Sequence, residues 1–211
     1  MKPMRNTLLL GLLAVLTLSG RPIAAPAGND AAVGSNVSVA SATLSLSGTS
    51  TMHPYTVTTK SLKVVTANAT SADVQGLLQP GAVQGFELQI PVNTFTSERD
   101  GLTKQMFKAM KADKHPAITF RLESYTVEPA AGGATIKPTG TLTVAGVERP
   151  IDMLLEVKEE AGRLHVRGTR DLLMTEFGIK PPTMFMGMLK TADKVTVTFE
   201  LQLALAAKAS N

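Results

Sequence analysis

The sequence predicts an all-β fold with one short helix: about eight antiparallel strands arranged as a closed barrel or a sandwich. Three observations carry this. Apolar and polar residues alternate with a period of two in segment after segment, as in strands with one dry and one wet face. Turn dipeptides fall between those segments. A single stretch has helical spacing instead.

The chain begins with targeting features. Lys2 and Arg5 precede an apolar run, Leu8 to Leu18, which Ser19, Gly20 and Pro22 end before Ala25-Pro26-Ala27. A positive tip, a short apolar core and small residues make residues 1–27 a signal peptide, with cleavage near Ala27. The run is shorter than the ~20 residues that span a bilayer, and no later stretch matches it. The alternative is an uncleaved anchor. The expected compartment is the periplasm or the exterior.

Removing 27 of the 211 residues leaves 184, enough for one domain with its own core. The leader takes Lys2, Arg5 and Arg21 with it, so the mature chain has 18 Lys+Arg against 17 Asp+Glu. The formal +4 and the high pI of 9.4 are therefore largely a property of the leader. The remaining basic residues are scattered, Trp is absent and there are only 2 Tyr, so no stacking platform for nucleic acid is expected. The absence of Cys excludes thiolate metal sites, Cys nucleophiles, disulfides and a lipidated Cys.

Residues 28–42, rich in Gly, Ala, Ser and Val, read as a flexible lead-in that runs toward the first strand. Leu44 and Leu46 alternate with Thr43, Ser45 and Ser47. Tyr55 to Val65, rich in Thr and Val, reads as the second strand, ended by Gln79-Pro80-Gly81. Phe86, Leu88, Ile90 and Val92 form the third; Ile118, Phe120 and Leu122 the fourth; Leu142 and Val144 the fifth. Ile151, Met153, Leu155 and Val157 read as one further strand, and Leu164 with Val166 as another. The longest run alternates from Val195 through Val197, Phe199, Leu201 and Leu203 to Leu205. Ala131-Gly132-Gly133 separates the fourth and fifth strands, Ala145-Gly146 and Ala161-Gly162 sit in short gaps as hairpin turns should, and short connections imply antiparallel neighbours.

Residues 98–111 break the pattern. Leu102, Met106 and Met110 recur every four residues, with Lys104, Lys108 and Lys111 around them, which predicts an amphipathic helix. Thr96 or Ser97 is the expected cap, and Pro116 prevents continuation. On a barrel, one such helix either plugs a mouth or lies outside.

An eight-stranded barrel encloses either a filled core or a cavity for one small ligand. Alternation does not distinguish the two. Each methylene buried in such a cavity contributes ~0.8 kcal/mol, so a long hydrocarbon binds with few polar contacts. Catalysis has little support. Ser50 and Ser124 lack a nucleophile elbow, and no Gly-rich phosphate loop is present. Glu98 and Asp100 suit a helix start better than an acid/base pair. His165 falls on a polar strand face, and His115 reads as a corner residue that hydrogen-bonds its turn, not as a base. One metal reading remains: Met184, Met186 and Met188 form M-x-M-x-M, and thioethers suit Cu(I). The competing reading is an apolar lid at a barrel mouth, since Met adapts to varied ligands.

Four segments together resemble the YceI-like family of secreted polyisoprenoid-binding proteins. They are residues 47–54 (SGTSTMHP), 106–120 (MFKAMKADKHPAITF), 140–150 (GTLTVAGVERP) and Glu176-Phe177-Gly178-Ile179. The family patterns K-x-P-x-I-x-F and G-x-L-T-x-x-G-V-x-[RK]-P are matched in order, and the similarity covers roughly residues 43–205. The resemblance implies a domain over residues 43–207 that forms an extended, eight-stranded, lipocalin-like antiparallel β-barrel. It further implies a carrier that holds a long isoprenoid chain, such as a quinone tail, without catalysis. No cofactor is expected apart from such a bound lipid. A homodimer is a further arrangement to test. The expected lining is Phe86, Leu88, Ile90, Ile118, Phe120, Leu142, Val144, Val197 and Phe199, with Met184, Met186 and Met188 at the mouth. The chain departs from the family where Pro54 and Tyr55 follow His53 in place of Trp, and over residues 180–188, so its ligand can differ from a polyprenyl quinone.

Overall fold

The alternating segments become strands of one antiparallel sheet whose inward faces share a single apolar cluster. The computed structural model describes residues 37–71, 73–184 and 188–205. The leader expected over residues 1–27 lies outside them. The strands are β1 (Val37–Ser50), β2 (Pro54–Thr59), β3 (Lys63–Ala69), β4 (Val83–Pro91), β5 (Ala117–Ala130) and β6 (Gly133–Val144). They continue as β7 (Val147–Asp152), β8 (Leu155–Glu160), β9 (Arg163–Leu173), β10 (Thr183–Met184) and β11 (Leu189–Leu205). The order across the sheet is β2-β1-β11-β9-β8-β6-β5-β4-β3, with β7 added on β6 and β10 on β11. The lead-in ends in β1, which pairs along its length with β11, so the first and last strands are neighbours.

Among the described residues the sheet has eleven strands, not eight. Two of the predicted runs are each broken in two, and the two-residue β10 is added. Tyr55–Val65 divides at Lys60-Ser61-Leu62: β2 pairs with β1, and β3 leaves to pair with β4. The run from Ile151 to Val157 divides at Met153-Leu154: β7 pairs with β6 near Thr139–Val144, and β8 pairs with β6 near Ala134–Ile136 and with β9. Side-chain alternation continues across this second break, with Leu154 exposed and Val157 buried. Hydropathy reports which face a side chain takes, not which strand its backbone bonds, so the break leaves no trace in the pattern.

The expected closed ring is corrected as well. β2 and β3 are the two ends of the sheet, with no ladder between them among the described residues. The β2 edge is bridged instead by the segment after β4. Thr58 and Thr96 exchange a pair of backbone hydrogen bonds, both 2.8 Å. Beside them the Thr59 and Thr94 hydroxyls are 2.7 Å apart, and Thr59 also accepts the Ser61 N–H at 3.1 Å. Thr59 is a buried polar side chain, and these bonds satisfy it. Val57 and Leu62, from β2 and the segment after it, and Val92 and Phe95, from the segment after β4, are all buried. A bridge this short limits exposure of an edge without the register demands of a full closing ladder.

The helix α1 spans Asp100–Ala109, shorter than the predicted 98–111. Arg99 is its N-cap residue and makes no side-chain cap, so neither Thr96 nor Ser97 caps it. Ser97 lies too early in the chain. Its hydroxyl accepts the Arg99 N–H at 3.2 Å and meets the Thr103 hydroxyl at 3.0 Å, fixing the approach to the helix. At the other end Lys111 takes φ +53°, and Ala112 N–H returns to Phe107 O at 2.9 Å. Pro116 then admits only an extended path into β5.

The predicted hairpin turns have the expected handedness. Ala145-Gly146 have φ of +51° and +80°, and Ala161-Gly162 +52° and +72°. Positive φ at both central residues matches the twist of paired strands. Gly146 has a second constraint, because a Cβ there would overlap the His115 ring. His115 therefore works by packing its ring over the β6–β7 turn, and its backbone N–H bonds Lys111 O at 2.9 Å. Gly146→Ala combines left-handed strain with this overlap. It is expected to destabilise the domain by about 2 kcal/mol or more in urea unfolding, and His115→Ala in the same chain should recover part of the loss.

Candidate binding cavity

The curled sheet encloses an apolar cavity of about 340 Å³. Its volume lies within the range of small-molecule sites, roughly 300–1,000 Å³. Phe86, Leu88 and Ile90 reach it from β4, Ile118 and Phe120 from β5, Leu142 and Val144 from β6, and Val197 and Phe199 from β11. Every one of the nine strand residues singled out from the sequence thus borders the same cavity. Leu88, Ile90, Ile118 and Val144 are buried, while Phe86, Phe120, Leu142, Val197 and Phe199 are half-buried and present free surface to the space. The structure also decides the position of the helix: Leu102, Met106 and Ala109 of α1 and Met110 just after it line the cavity, so the helix plugs the lumen.

The methionine segment is placed less fully. Met184 belongs to β10, Met188 is 79 % exposed and is not among the lining residues, and Met186 lies outside the described residues. Thr51 donates to Met188 O and accepts the Lys190 N–H, both at 3.3 Å. The β1–β2 turn, with exposed Met52, therefore lies beside Met188. Pro182 and Thr191, flanking this segment, do line the cavity.

Few polar groups reach the lumen. Tyr125 from β5 is fully engaged: its hydroxyl accepts the Val83 N–H at 2.9 Å and donates to Gln79 O at 3.0 Å, tying the β3–β4 connection to the wall. Tyr55 lies flat over Gly48, its cross-strand partner, where a Cβ would overlap the phenol. Burial pushes the Tyr55 phenol above its ordinary value of about 10. The folded protein thus holds the phenol neutral at a pH where the unfolded chain ionises it. The associated stability is complete below about pH 10 and is lost as pH rises through the folded value. Tyr55→Phe should flatten that alkaline decline, read from unfolding midpoints at pH 9 and pH 11.

Arg170 is the residue that sequence reasoning missed. It lines the cavity from β9, on the same face as Leu164, Val166, Gly168 and Leu172. The signal was present: an arginine at an inward position of an otherwise apolar alternation. A second pocket of about 320 Å³ adjoins it, of mixed lining: Arg149, Arg170, Asp171, Glu176 and Lys194 share it with apolar side chains such as Ile151 and Phe177. The pocket lies where residues 169–173 of β9 pair only with β11 and β7 pairs only with β6, leaving a window between β7 and β9. On the outer face, hydrogen bonds from Thr196 at 2.6 Å and Lys194 at 3.1 Å hold the Asp171 carboxyl below the usual carboxylate range.

The three histidines do not meet. His53 is exposed, His115 packs on the turn, and His165 faces Glu160 at 3.7 Å on the outer surface. Among the described residues no three His, Asp or Glu side chains converge as metal ligands. No described helix is long and apolar enough to cross a membrane.

Solved structures share the fold. A polyisoprenoid binding domain from Saccharophagus degradans superposes with a TM-score of 0.60 at 15 % identity, over 81 % of this chain and 98 % of that one. BcnA from Burkholderia cenocepacia does so with 0.59 at 18 %, over 77 % and 96 %. The YceI protein of Campylobacter jejuni gives 0.53 at 18 %, over 72 % and 85 %. Among curated proteins, none matches the sequence. The sequence profile of the YceI-like domain matches residues 32–203, and the chain belongs to the YceI-like family.

Proposed function

We propose that this protein is an exported carrier that holds one long apolar lipid, of polyisoprenoid, quinone-like or related type, in its lumen and performs no covalent chemistry on it. The observation that carries this reading is the apolar cavity of about 340 Å³ lined by inward side chains of both sheet and helix. An empty space of that size lined by Leu, Ile, Val, Phe and Met is costly to hydrate and gains ~0.8 kcal/mol for each methylene that fills it. Family membership and the description of the Saccharophagus degradans relative as a polyisoprenoid binding domain support the lipid class. The leader features at residues 1–27 support export, and N-terminal sequencing of the protein from a periplasmic fraction should begin near Gly28.

The test is native mass spectrometry of the mature protein from its own compartment, followed by organic extraction and mass analysis of any adduct. The expected result is a stoichiometric long-chain lipid lost on extraction. Bare protein that also stays bare after incubation with a lipid extract would overturn the carrier reading.

A further inference from the structure

Arg170 is the only charged side chain among the described residues that line the lumen. It stands opposite Val197 of β11, two residues from Gly168 and two from Leu172 on the inward face of β9. Its Nε is buried and has no hydrogen-bond acceptor among the described residues. Its Nη2 donates to Asp152 Oδ1 at 3.3 Å, but that carboxylate side chain is 74 % exposed, which makes the pair a weak, solvent-screened one. A guanidinium cannot discard its charge, so a buried Nε–H without an acceptor is a standing penalty.

The surroundings show what would relieve it. Arg170 lines both the apolar lumen and the window between β7 and β9, where charged side chains gather. Two further cations line that window. Lys194 is matched by Asp171 at 3.1 Å. Arg149 spends its donors on backbone carbonyls, Glu176 O at 2.9 Å and Glu148 O at 3.4 Å, and has no carboxylate partner among the described residues. Glu176 is the other acid of the window. Nε and Nη2 form one edge of the guanidinium, the edge that receives two oxygens of a carboxylate or phosphate side by side.

We propose that Arg170 anchors the head of the lumenal ligand, an oxyanion (carboxylate or phosphate ester) at the end of an apolar chain, with the head seated in the β7–β9 window. The assignment rests on the lumen reading and narrows it from any apolar lipid to an acidic amphiphile. The arginine's permanent charge then selects head group while the lumen selects chain.

The test uses delipidated mature protein and probes that share one chain: palmitate, hexadecyl phosphate and hexadecanol, with acetate and inorganic phosphate as heads without a chain. Wild type is expected to bind the two acids at least about tenfold more tightly than the alcohol, and to ignore acetate and inorganic phosphate. Arg170→Met keeps the apolar stem and removes the donors, so it should abolish the preference and leave hexadecanol affinity within about twofold. Asp152→Asn, at an exposed position that does not endanger the fold, removes the carboxylate charge that competes for the guanidinium and should enlarge the preference. Equal binding of acid and alcohol by wild type, a preference that survives Arg170→Met, or one that Asp152→Asn leaves unmoved would overturn the anchor while leaving the lumen reading intact. Binding of inorganic phosphate as tight as that of hexadecyl phosphate would overturn the amphiphile. Failure of every chain-bearing probe, hexadecanol included, would remove the lumen reading and Arg170's role with it.

Discussion

Phe95→Ala is expected to destabilise the domain by about 3–5 kcal/mol, the range for removing a buried ring that its surroundings cannot collapse around. Phe95 is 1 % exposed and the bulkiest of the fully buried side chains. It lies between the turn at Val92–Thr94 and Thr96, whose backbone exchanges two hydrogen bonds with Thr58 of β2. The ring therefore supports the short segment that bridges an otherwise unpaired sheet edge. It is not among the residues that line the lumen, so its loss should act on stability and leave the cavity wall unchanged. Urea unfolding should show a lower midpoint with an unchanged slope. A loss below about 1.5 kcal/mol would mean that the hydrogen bonds alone hold the bridge.

Gly168→Val is the substitution expected to damage binding most. Gly168 of β9 is buried directly across from Phe199 of β11. A Cβ there would stand 2.5 Å from Phe199 Cζ and 2.8 Å from Leu155 Cδ2, closer than real contacts allow. Leu155 and Phe199 both line the lumen, so the displaced ring has the 340 Å³ cavity to enter. The expected result is a fall in lipid binding of about tenfold or more together with about 1–3 kcal/mol of overpacking strain. Adding Phe199→Leu removes the colliding ring and should restore a large part of both. Coupling in that double-mutant cycle of less than about 0.5 kcal/mol would show that the ring and the glycine do not share this space.

Much of this molecule was legible without coordinates. A strand's pleat sends successive side chains to opposite faces whatever lies next to it. Phe86, Leu88 and Ile90, or Val197 and Phe199, therefore announce their common wall locally. The α1 spacing and the Ala145-Gly146 and Ala161-Gly162 turns are local in the same sense. The motifs that resemble the YceI-like family pointed to the fold that the solved relatives share.

Other features required the assembled sheet. Whether Tyr55–Val65 is one strand or two depends on β1 and β4 competing for its backbone, and neither choice changes the hydropathy of the segment. The bridge at Thr58 and Thr96 joins residues that no periodicity connects. The helix face was visible, yet only packing shows that it points into the lumen. Arg170 was readable as an inward arginine, but its buried, unpartnered Nε and the window beside it exist only because β7 and β9 part company there. The sequence by itself determined which way each side chain faces, because facing is set by one residue's own backbone. The tertiary structure decided which strands meet, where the sheet stays open and what the lumen contains, because those outcomes depend on long-range pairings whose energies are shared among many residues.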